Sequence, residues 1–463
     1  MTRKFHTVRP VVHSQWPQVY IETYGCQMNV NDSEVVLSVL QNSGYSLCRD
    51  MDLADVILIN TCSIRDNAEQ RIRGRLDLFY RQKKKKPALR VGVLGCMAER
   101  LKEELLNHPA VDLVVGPDAY RQLPPLLEAA INTGKQIETR FDALENYADI
   151  SPVRLDPNGV SAFVSIMRGC NNACAYCVVP FVRGRERSRD PQSIQREVME
   201  LVANGYKEVS LLGQNVDSYL WIDAQNPTER INFAQLLEIV ALVDPKLRVR
   251  FVTSHPKDMS NGVLYTMAMY PNICQHIHLP VQSGSNQILK KMNRKYTRED
   301  YLERVSTIRR ILPDCAISSD FIAGFCDETP EDHADTLSLM NQVRFDQAFM
   351  FQYSERPGTK AANMYQDNVA EELKTERLKE IIVLQNKHAL ESNRRDIGKT
   401  FEVLIEGLSK RSSGEYFGRN PQNKVCVFPK ENSEIGDYVQ VNIHSCSSAT
   451  LMGTQIEKRS SRK

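Results

Sequence analysis

The chain has 463 residues, 42% of them hydrophobic and 25% charged, which is the make-up of a soluble globular protein of two to four domains. A formal net charge of only +2 excludes a protein that holds nucleic acid by bulk charge, so any such role must come from local basic patches. No run approaches the ~20 apolar residues of a membrane helix, and the start, Met1-Thr2-Arg3-Lys4, lacks the apolar stretch of a secretory signal, so a cytoplasmic protein is expected.

From the amino end the pattern alternates strand and helix. Strands are predicted at residues 19–23, 56–60, 91–94 and 112–115. Helices are predicted at 32–42, from beyond the second strand to about residue 80, near 99–106 and near 120–131. Short apolar runs alternating with helices imply an open parallel α/β sheet, which we assign to residues 16–135. Residues 141–159, with Pro152 and Pro157 among acidic residues, read as a linker.

A second βα series follows, with strands expected at 162–166, 208–212, 248–253, 275–279, 316–322 and 347–351. Helices are expected between them at 192–204, 233–243, 298–312 and 331–343, and a polar helix at 371–394 closes the unit. Six such units predict a partial TIM-like (βα)6 barrel over residues 156–395. Past Gly398 the pattern becomes period-two alternation at 401–405 and 438–443, punctuated by Gly407, Gly414, Gly418 and Gly436. That predicts a small antiparallel β-barrel or sandwich at 396–459, then a disordered basic tail at 458–463.

Twelve cysteines are many for a compartment that disfavours disulfides, so grouped ones point to metal or redox chemistry. Cys26, Cys62 and Cys96 each follow a predicted strand of the first sheet and precede a helix, so the carboxyl ends of the strands bring them to one crevice. Cys170, Cys174 and Cys177 form a C-x₃-C-x₂-C run just after the first barrel strand, at the face where barrel active sites sit. Three thiolates on one loop can hold three irons of a four-iron cluster and leave one iron open, which marks a catalytic site. Zinc is the alternative, although it ordinarily takes four ligands, more often from paired C-x₂-C motifs. Cys48, Cys274, Cys315, Cys326, Cys426 and Cys446 share no pattern and read as small buried hydrophobes.

The C-x₃-C-x₂-C loop, with Tyr176 before its last cysteine, resembles the radical S-adenosylmethionine superfamily. The text Thr23-Tyr24-Gly25-Cys26-Gln27-Met28-Asn29, Asn60-Thr61-Cys62-Ser63-Ile64-Arg65 and Arg168-Gly169-Cys170-Asn171-Asn172 narrows this. With Arg183-Gly184-Arg185-Glu186-Arg187-Ser188-Arg189 and Tyr353-Ser354-Glu355-Arg356-Pro357-Gly358-Thr359, the chain resembles the MiaB family of methylthiotransferases from about residue 18 to 457. The resemblance implies three domains: methylthiotransferase, radical barrel and an RNA-binding TRAM module. It implies two [4Fe-4S] clusters, one on each triad, and S-adenosyl-L-methionine as methyl donor and radical source. The implied reaction is methylthiolation at C2 of N6-isopentenyl(dimethylallyl)adenosine at position 37 of tRNA, with the Cys26/Cys62/Cys96 cluster supplying sulfur. Relatives acting on a ribosomal-protein aspartate or on threonylcarbamoyladenosine open differently around the first cysteine.

Tyr176, Gly213, Gln214, Asn215, Ser254, Gln282 and Ser283 follow barrel strands and are expected to touch the cofactor, with ordinary turn chemistry as the alternative. Phosphate contact is expected from Arg183, Arg185, Arg187 and Arg189, and from the runs Arg71–Arg75 and Lys83–Lys86 where these are more than a solvated face. In the last module Tyr416, Phe417, Arg419 and Lys424 mix aromatic and basic character as RNA binding requires. Expected partners are the tRNA anticodon stem-loop, a flavodoxin- or ferredoxin-like electron donor and a sulfur or cluster supply protein; no membrane is expected, and a monomer is. Where the family commonly has glycine, Asp327 stands, and it is expected to alter that loop's backbone.

Overall fold

The computed structural model describes residues 16–63, 66–156 and 158–456, with the side chains of 66–69 excepted. The basic tail, Pro157 and the Ile64-Arg65 end of the second cysteine motif lie outside the described residues.

Six wholly parallel strands make the first sheet. They are β1 (Gln18–Tyr24), β2 (Ser46–Leu47), β3 (Val56–Thr61), β4 (Arg90–Gly95), β5 (Leu113–Val115) and β6 (Gln136–Glu138), in the order 2-1-3-4-5-6. All six residues of β3 are buried, as a central strand covered by helices on both faces must be. One face packs Val35, Leu37 and Leu40 against Leu58 and Leu113; the other packs Ile72, Leu76 and Phe79 against Ile57 and Val91. β2 and β6 are additions to the expected set, being too short to register as periodic runs, and β6 carries the sheet past residue 135. The first helix, Gln27–Asn42, begins directly after Cys26 rather than at residue 32. Its opening turns carry buried Asn29, Asn31 and Asp32, polar residues that hide the helical stripe from a hydrophobicity pattern.

The central unit has ten strands: β7 (Ser161–Ser165), β8 (Met167–Arg168), β9 (Arg187–Ser188), β10 (Glu208–Leu212), β11 (Leu220–Ile222), β12 (Arg230–Asn232), β13 (Arg248–Val252), β14 (His276–His278), β15 (Ala316–Ala323) and β16 (Gln347–Gln352). Parallel ladders 7-10-13 and 14-15-16 meet through the bridge Val249–Ile273, giving the expected six-stranded partial barrel around Val164, Leu211, Val249, Ile277 and Phe321. β8 and β9 form a two-residue antiparallel ribbon at the mouth. Between β13 and β14 the helix is Asn261–Met269, whose bounds the sequence did not mark because Tyr265 and Met269 on its outer side leave it no polar face.

Strands β17 (Thr400–Leu408), β18 (Glu415–Arg419), β19 (Val425–Pro429), β20 (Tyr438–Cys446) and β21 (Leu451–Ile456) close a barrel in the order 17-18-19-21-20. Its β19–β21 pairing is parallel, so the module is a barrel rather than a sandwich and is not wholly antiparallel. It docks at the amino ends of β10 and β13. Arg248 Nη1 donates to Arg419 O at 2.7 Å, Arg250 Nη2 to Asn420 O at 3.0 Å, and the Tyr438 hydroxyl to Lys207 O at 2.7 Å.

The segment read as a linker is folded into the seam between the first two units. Tyr147 is buried, stacks 5.7 Å from Tyr120 and donates its hydroxyl to Pro117 O at 2.9 Å. Arg154 pairs with Glu34 of the first helix at 3.0 Å and with Glu197 of the barrel at 2.5 Å. Two isolated anchors among prolines and acids carry no periodic signal, although they bind the segment firmly. Among the described residues no helix is long and apolar enough to cross a membrane.

Candidate active site

Glycine precedes two of the three cysteines of the first sheet, and the backbone needs it there. A Cβ on Gly25 would fall 2.5 Å from Cys62 Cβ; one on Gly95, at φ 88°, would fall 2.3 Å from Asn60 Oδ1. The carboxyl ends of β1, β3 and β4 are thus drawn tightly together. Asn29 Nδ2 donates to Asn60 Oδ1 at 3.1 Å, and Asn60 Nδ2 donates to Asn29 O at 2.9 Å and Ser33 Oγ at 3.0 Å. The Cys26 thiol, exposed at the amino end of the first helix, is held down at about 6, first by its hydrogen bond with Cys62 and further by the Arg183 charge. Burial pushes Cys96 up.

The second triad lies on the loop between β8 and the short helix Val179–Arg183. Backbone amides of Asn172 and Val179 donate to Cys170 Sγ and Cys177 Sγ, each at 3.4 Å. Arg294 Nη1 donates to Cys174 Sγ at 3.3 Å, with Nη2 on Pro280 O at 2.7 Å. Burial pushes Cys170 and Cys177 up to about 12, so both thiols need a cation to ionise at neutral pH. The loop is pinned by Ala175 N donating to Met292 O at 2.9 Å and by Ala361 N donating to Ala175 O at 2.7 Å. Ala175 is buried against Ile288, Phe325 and Tyr353, so its small side chain is what close packing requires there.

The two triads are neighbours. Cys96 packs against Val178, the residue after Cys177, and against Val182 one turn on. Arg183, at the end of that turn, donates Nε to Cys96 Sγ at 3.1 Å. From a third direction Arg356 comes close enough to Cys62 for their charges to interact. All twelve cysteines are free thiols. Among the described residues no three Cys, His, Asp or Glu side chains stand at the distances of a bound single metal ion.

The expected cofactor residues divide. Gly213, Gln214, Asn215 and Ser254 gather at the carboxyl ends of β10 and β13, where Gln214 Oε1 and Asn215 Oδ1 are buried without a hydrogen-bond partner. Asn215 Nδ2 donates to Asp258 Oδ2 at 2.8 Å, an oxygen that also accepts from Asn172 of the cysteine loop at 3.0 Å. Buried acceptors left unpaired beside a cysteine loop fit a bound polar molecule such as an amino-acid sulfonium. Gln282 sits at φ 77°, a conformation held by Gln282 N on Asp320 O at 2.9 Å and Ile322 N on Gln282 O at 3.0 Å. Tyr176 packs at the edge of the cluster of apolar residues around Ala175. Ser283 instead serves its own turn, 3.3 Å from Thr336 Oγ1 and accepting from Ser285 N at 3.2 Å.

The expected phosphate contacts need correction. Arg183, Arg187 and Arg189 are internal: Arg183 pairs with Asp32 at 2.7 Å and Arg187 with Asp118 at 2.8 Å, while Arg189 pairs with Glu197. Only Arg185 of the four is exposed. Tyr416 is a core residue of the last barrel, its hydroxyl donated to Ser433 O at 2.7 Å, and so cannot stack on a base. Lys424 is bound to Asp396 at 2.6 Å, while Arg419, half-buried, pairs with Glu406 at 3.1 Å. Lys83 and Lys86 pair with Asp112 and Asp55 at the end of their helix, and Arg75 pairs with Glu22. Sequence reasoning passed over Asp32, Arg294, Asp258 and Asn60. Asn60 stood in a quoted motif, whereas Arg294 carried no signal at all.

Three family models match the chain: Uncharacterized protein family UPF0004 over residues 18–116, the Radical SAM superfamily over 164–340 and the TRAM domain over 394–456. A tRNA-2-methylthio-N(6)-dimethylallyladenosine synthase of Bacteroides thetaiotaomicron is 57% identical over 440 residues, covering 95% of this chain and 96% of the relative. One from Amoebophilus asiaticus is 56% identical, covering 94% and 92%. Among solved structures, the radical S-adenosylmethionine methyltransferase TsrM of Kitasatospora setae superposes with a TM-score of 0.57 at 14% identity, covering 75% of this chain and 77% of that one. The cobalamin-dependent S-adenosylmethionine radical enzyme OxsB gives 0.51 at 14% identity, over 81% and 57%. At such identity these two show a shared fold alone.

Proposed function

The chain belongs to the tRNA-2-methylthio-N(6)-dimethylallyladenosine synthase family, and from that membership we propose how its two neighbouring cysteine triads divide the work. It is an enzyme that methylthiolates N6-dimethylallyladenosine in tRNA by radical S-adenosylmethionine chemistry. In our reading Cys170, Cys174 and Cys177 hold the [4Fe-4S] cluster that works with S-adenosyl-L-methionine, and Cys26, Cys62 and Cys96 hold a second that delivers sulfur. The observation that carries this division is the contact of Cys96 with Val178, which leaves one residue between a thiol of one triad and a thiol of the other.

Bound together at the barrel mouth, cluster and S-adenosyl-L-methionine supply one-electron cleavage and a carbon radical, which adenine C2 needs because that carbon has no acidic proton. The chain's own residues do the rest. Asn172 and Val179 amides and Arg294 steady the three sulfurs by N–H donation. Gln214 Oε1 and Asn215 Oδ1 offer acceptors to the cofactor's ammonium, and Asp258 orients Asn215. Arg183 and Arg356 bring positive charge to the sulfur-donating side.

The base must leave the anticodon-loop stack to present its C2 edge between the triads. Arg185, exposed beside the cysteine loop, is our candidate for guiding the adjacent phosphate, with Arg419 a weaker second. We extend the same reading to position 37, to a monomer in the cytoplasm, and to a flavodoxin- or ferredoxin-like electron donor and a sulfur supply protein as partners.

Anaerobic incubation of isopentenylated tRNA with reconstituted enzyme, reductant and S-adenosyl-L-methionine, followed by nucleoside mass spectrometry, tests the proposal. The expected product is N6-isopentenyladenosine carrying one added methylthio group. A Cys62→Ala protein should still form 5′-deoxyadenosine yet add no sulfur; sulfur addition by that variant would overturn the division of labour.

A further inference from the structure

Three arginines and two aspartates meet, all but shut off from solvent, in the seam between the first two domains. The pairs are Arg168–Asp32 at 2.9 Å, Arg183–Asp32 at 2.7 Å and Arg187–Asp118 at 2.8 Å. Arg168 and Asp118 approach to 3.9 Å. The arginines come from the barrel domain and the aspartates from the sheet. Counted together they carry one positive charge more than they carry negative. No carboxylate or phenol beside it cancels it, which leaves the sulfurs that Arg183 faces: Glu99 has its own partner in Lys102 at 3.3 Å, and the Tyr120 hydroxyl, which donates to Asp32 at 3.2 Å, is kept neutral by burial. A buried charge without a counter-charge is costly, so this one needs a partner of opposite sign. The arginine that reaches out of the network is Arg183, whose Nε donates to Cys96 Sγ at 3.1 Å.

Resting on the reading that Cys26, Cys62 and Cys96 hold a four-iron cluster, we infer that this cluster is the counter-ion of the seam network and that Arg183 is the positioning residue joining the two. Three thiolates around an oxidised, doubly positive four-iron core leave one net negative charge, which matches the surplus. Two consequences follow from the match. Iron binding and domain docking support one another, because whatever binds the docked state stabilises it. The guanidinium and its N–H on sulfur also favour the more negative, reduced cluster, so Arg183 raises that cluster's midpoint potential.

The test uses the full-length protein with Cys170→Ala, Cys174→Ala and Cys177→Ala, so that only the first triad can hold iron. It is reconstituted anaerobically, assayed for iron and sulfide, and titrated electrochemically with its paramagnetic signal as the readout. Adding Arg183→Gln is expected to shift the reduction equilibrium against the reduced form by at least about tenfold, or about 59 mV for one electron, at unchanged iron content. Arg183→Lys, which keeps the charge, is expected to restore about half of that shift. Asp32 keeps Arg168 at 2.9 Å in Arg183→Gln, so this variant removes the sulfur contact and the surplus charge without stranding an aspartate. It is also expected to release iron to a chelator at least about threefold faster than its parent. An unshifted potential or unchanged iron release in Arg183→Gln overturns the inference and leaves the triad assignment standing. A parent protein that binds no iron overturns the assignment and the inference with it.

Discussion

Arg294 is the residue on which the two ways of reading this chain differ most. It has no carboxylate among its described partners, yet it is buried and points a guanidinium at Cys174 Sγ, the Tyr176 hydroxyl and Pro280 O. A buried cation with neutral partners is tolerated where anionic sulfur will complete the set. Arg294→Met is therefore expected to slow 5′-deoxyadenosine formation at least about tenfold, equivalent to about 1.4 kcal/mol, while tRNA affinity measured by filter binding stays unchanged. Loss of tRNA affinity with normal cleavage would show that Arg294 serves the substrate and not the cluster loop. Asp327 teaches the opposite lesson. It adopts φ 60° itself, accepting from Lys291 Nζ at 2.7 Å while its own amide donates to Asn368 Oδ1 at 2.9 Å, so the glycine-like backbone survives the substitution.

At the scale of elements, the cysteines were legible because strand ends are legible. Each of Cys26, Cys62 and Cys96 directly follows an apolar run, and parallel order alone brings such ends together. The arginines were not legible for a reason equally physical. A basic run looks the same in sequence whether its partners are phosphates or buried acids, and here the acids lie far off in the chain: Asp118 is 69 residues from Arg187 and Asp32 is 136 from Arg168. The aromatic-basic text around Tyr416 misled in the same way, since a strand alternates faces and Tyr416 falls on the inner one. The turn before Cys96 offers a clean test of strand-end geometry. Gly95→Ala places a methyl 2.3 Å from Asn60 Oδ1 and 2.8 Å from Thr61 O at φ 88°, and should lower iron per chain toward what the second triad alone retains. Gly134→Ala has φ 95° but nothing within 4 Å of its Cβ, so iron should hold steady there. Equal iron loss in both would mean that backbone strain, and not crowding of the crevice, is responsible.

For the whole molecule, three domains and their classes could be read from periodicity, but their joints could not. The segment at 141–159 has the composition of a tether and the structure of a clasp, because Tyr147 and Arg154 find partners on both sides. Arg154→Met would leave Glu34 buried with only a backbone amide, that of Leu155 at 3.0 Å, for company. Losing one member of a buried ion set costs about 3–5 kcal/mol, so the sheet and first barrel should then melt in two steps in urea, against a single step expected of the native chain. A single unshifted transition would mean that the apolar contacts of Tyr147 and Leu155 hold the joint alone.

The last barrel is fastened to the amino ends of β10 and β13, whereas both triads lie beyond the carboxyl ends. Five residues of strand put about 17 Å of protein between those two levels. An RNA that touches both must therefore be long and stiff enough to reach from one end of the barrel to the other. Were the last barrel a second grip, the enzyme would work as a caliper: a base of the right chemistry on a fragment too short to span the gap would meet the reactive end unheld, and selection by stature would be added to selection by base.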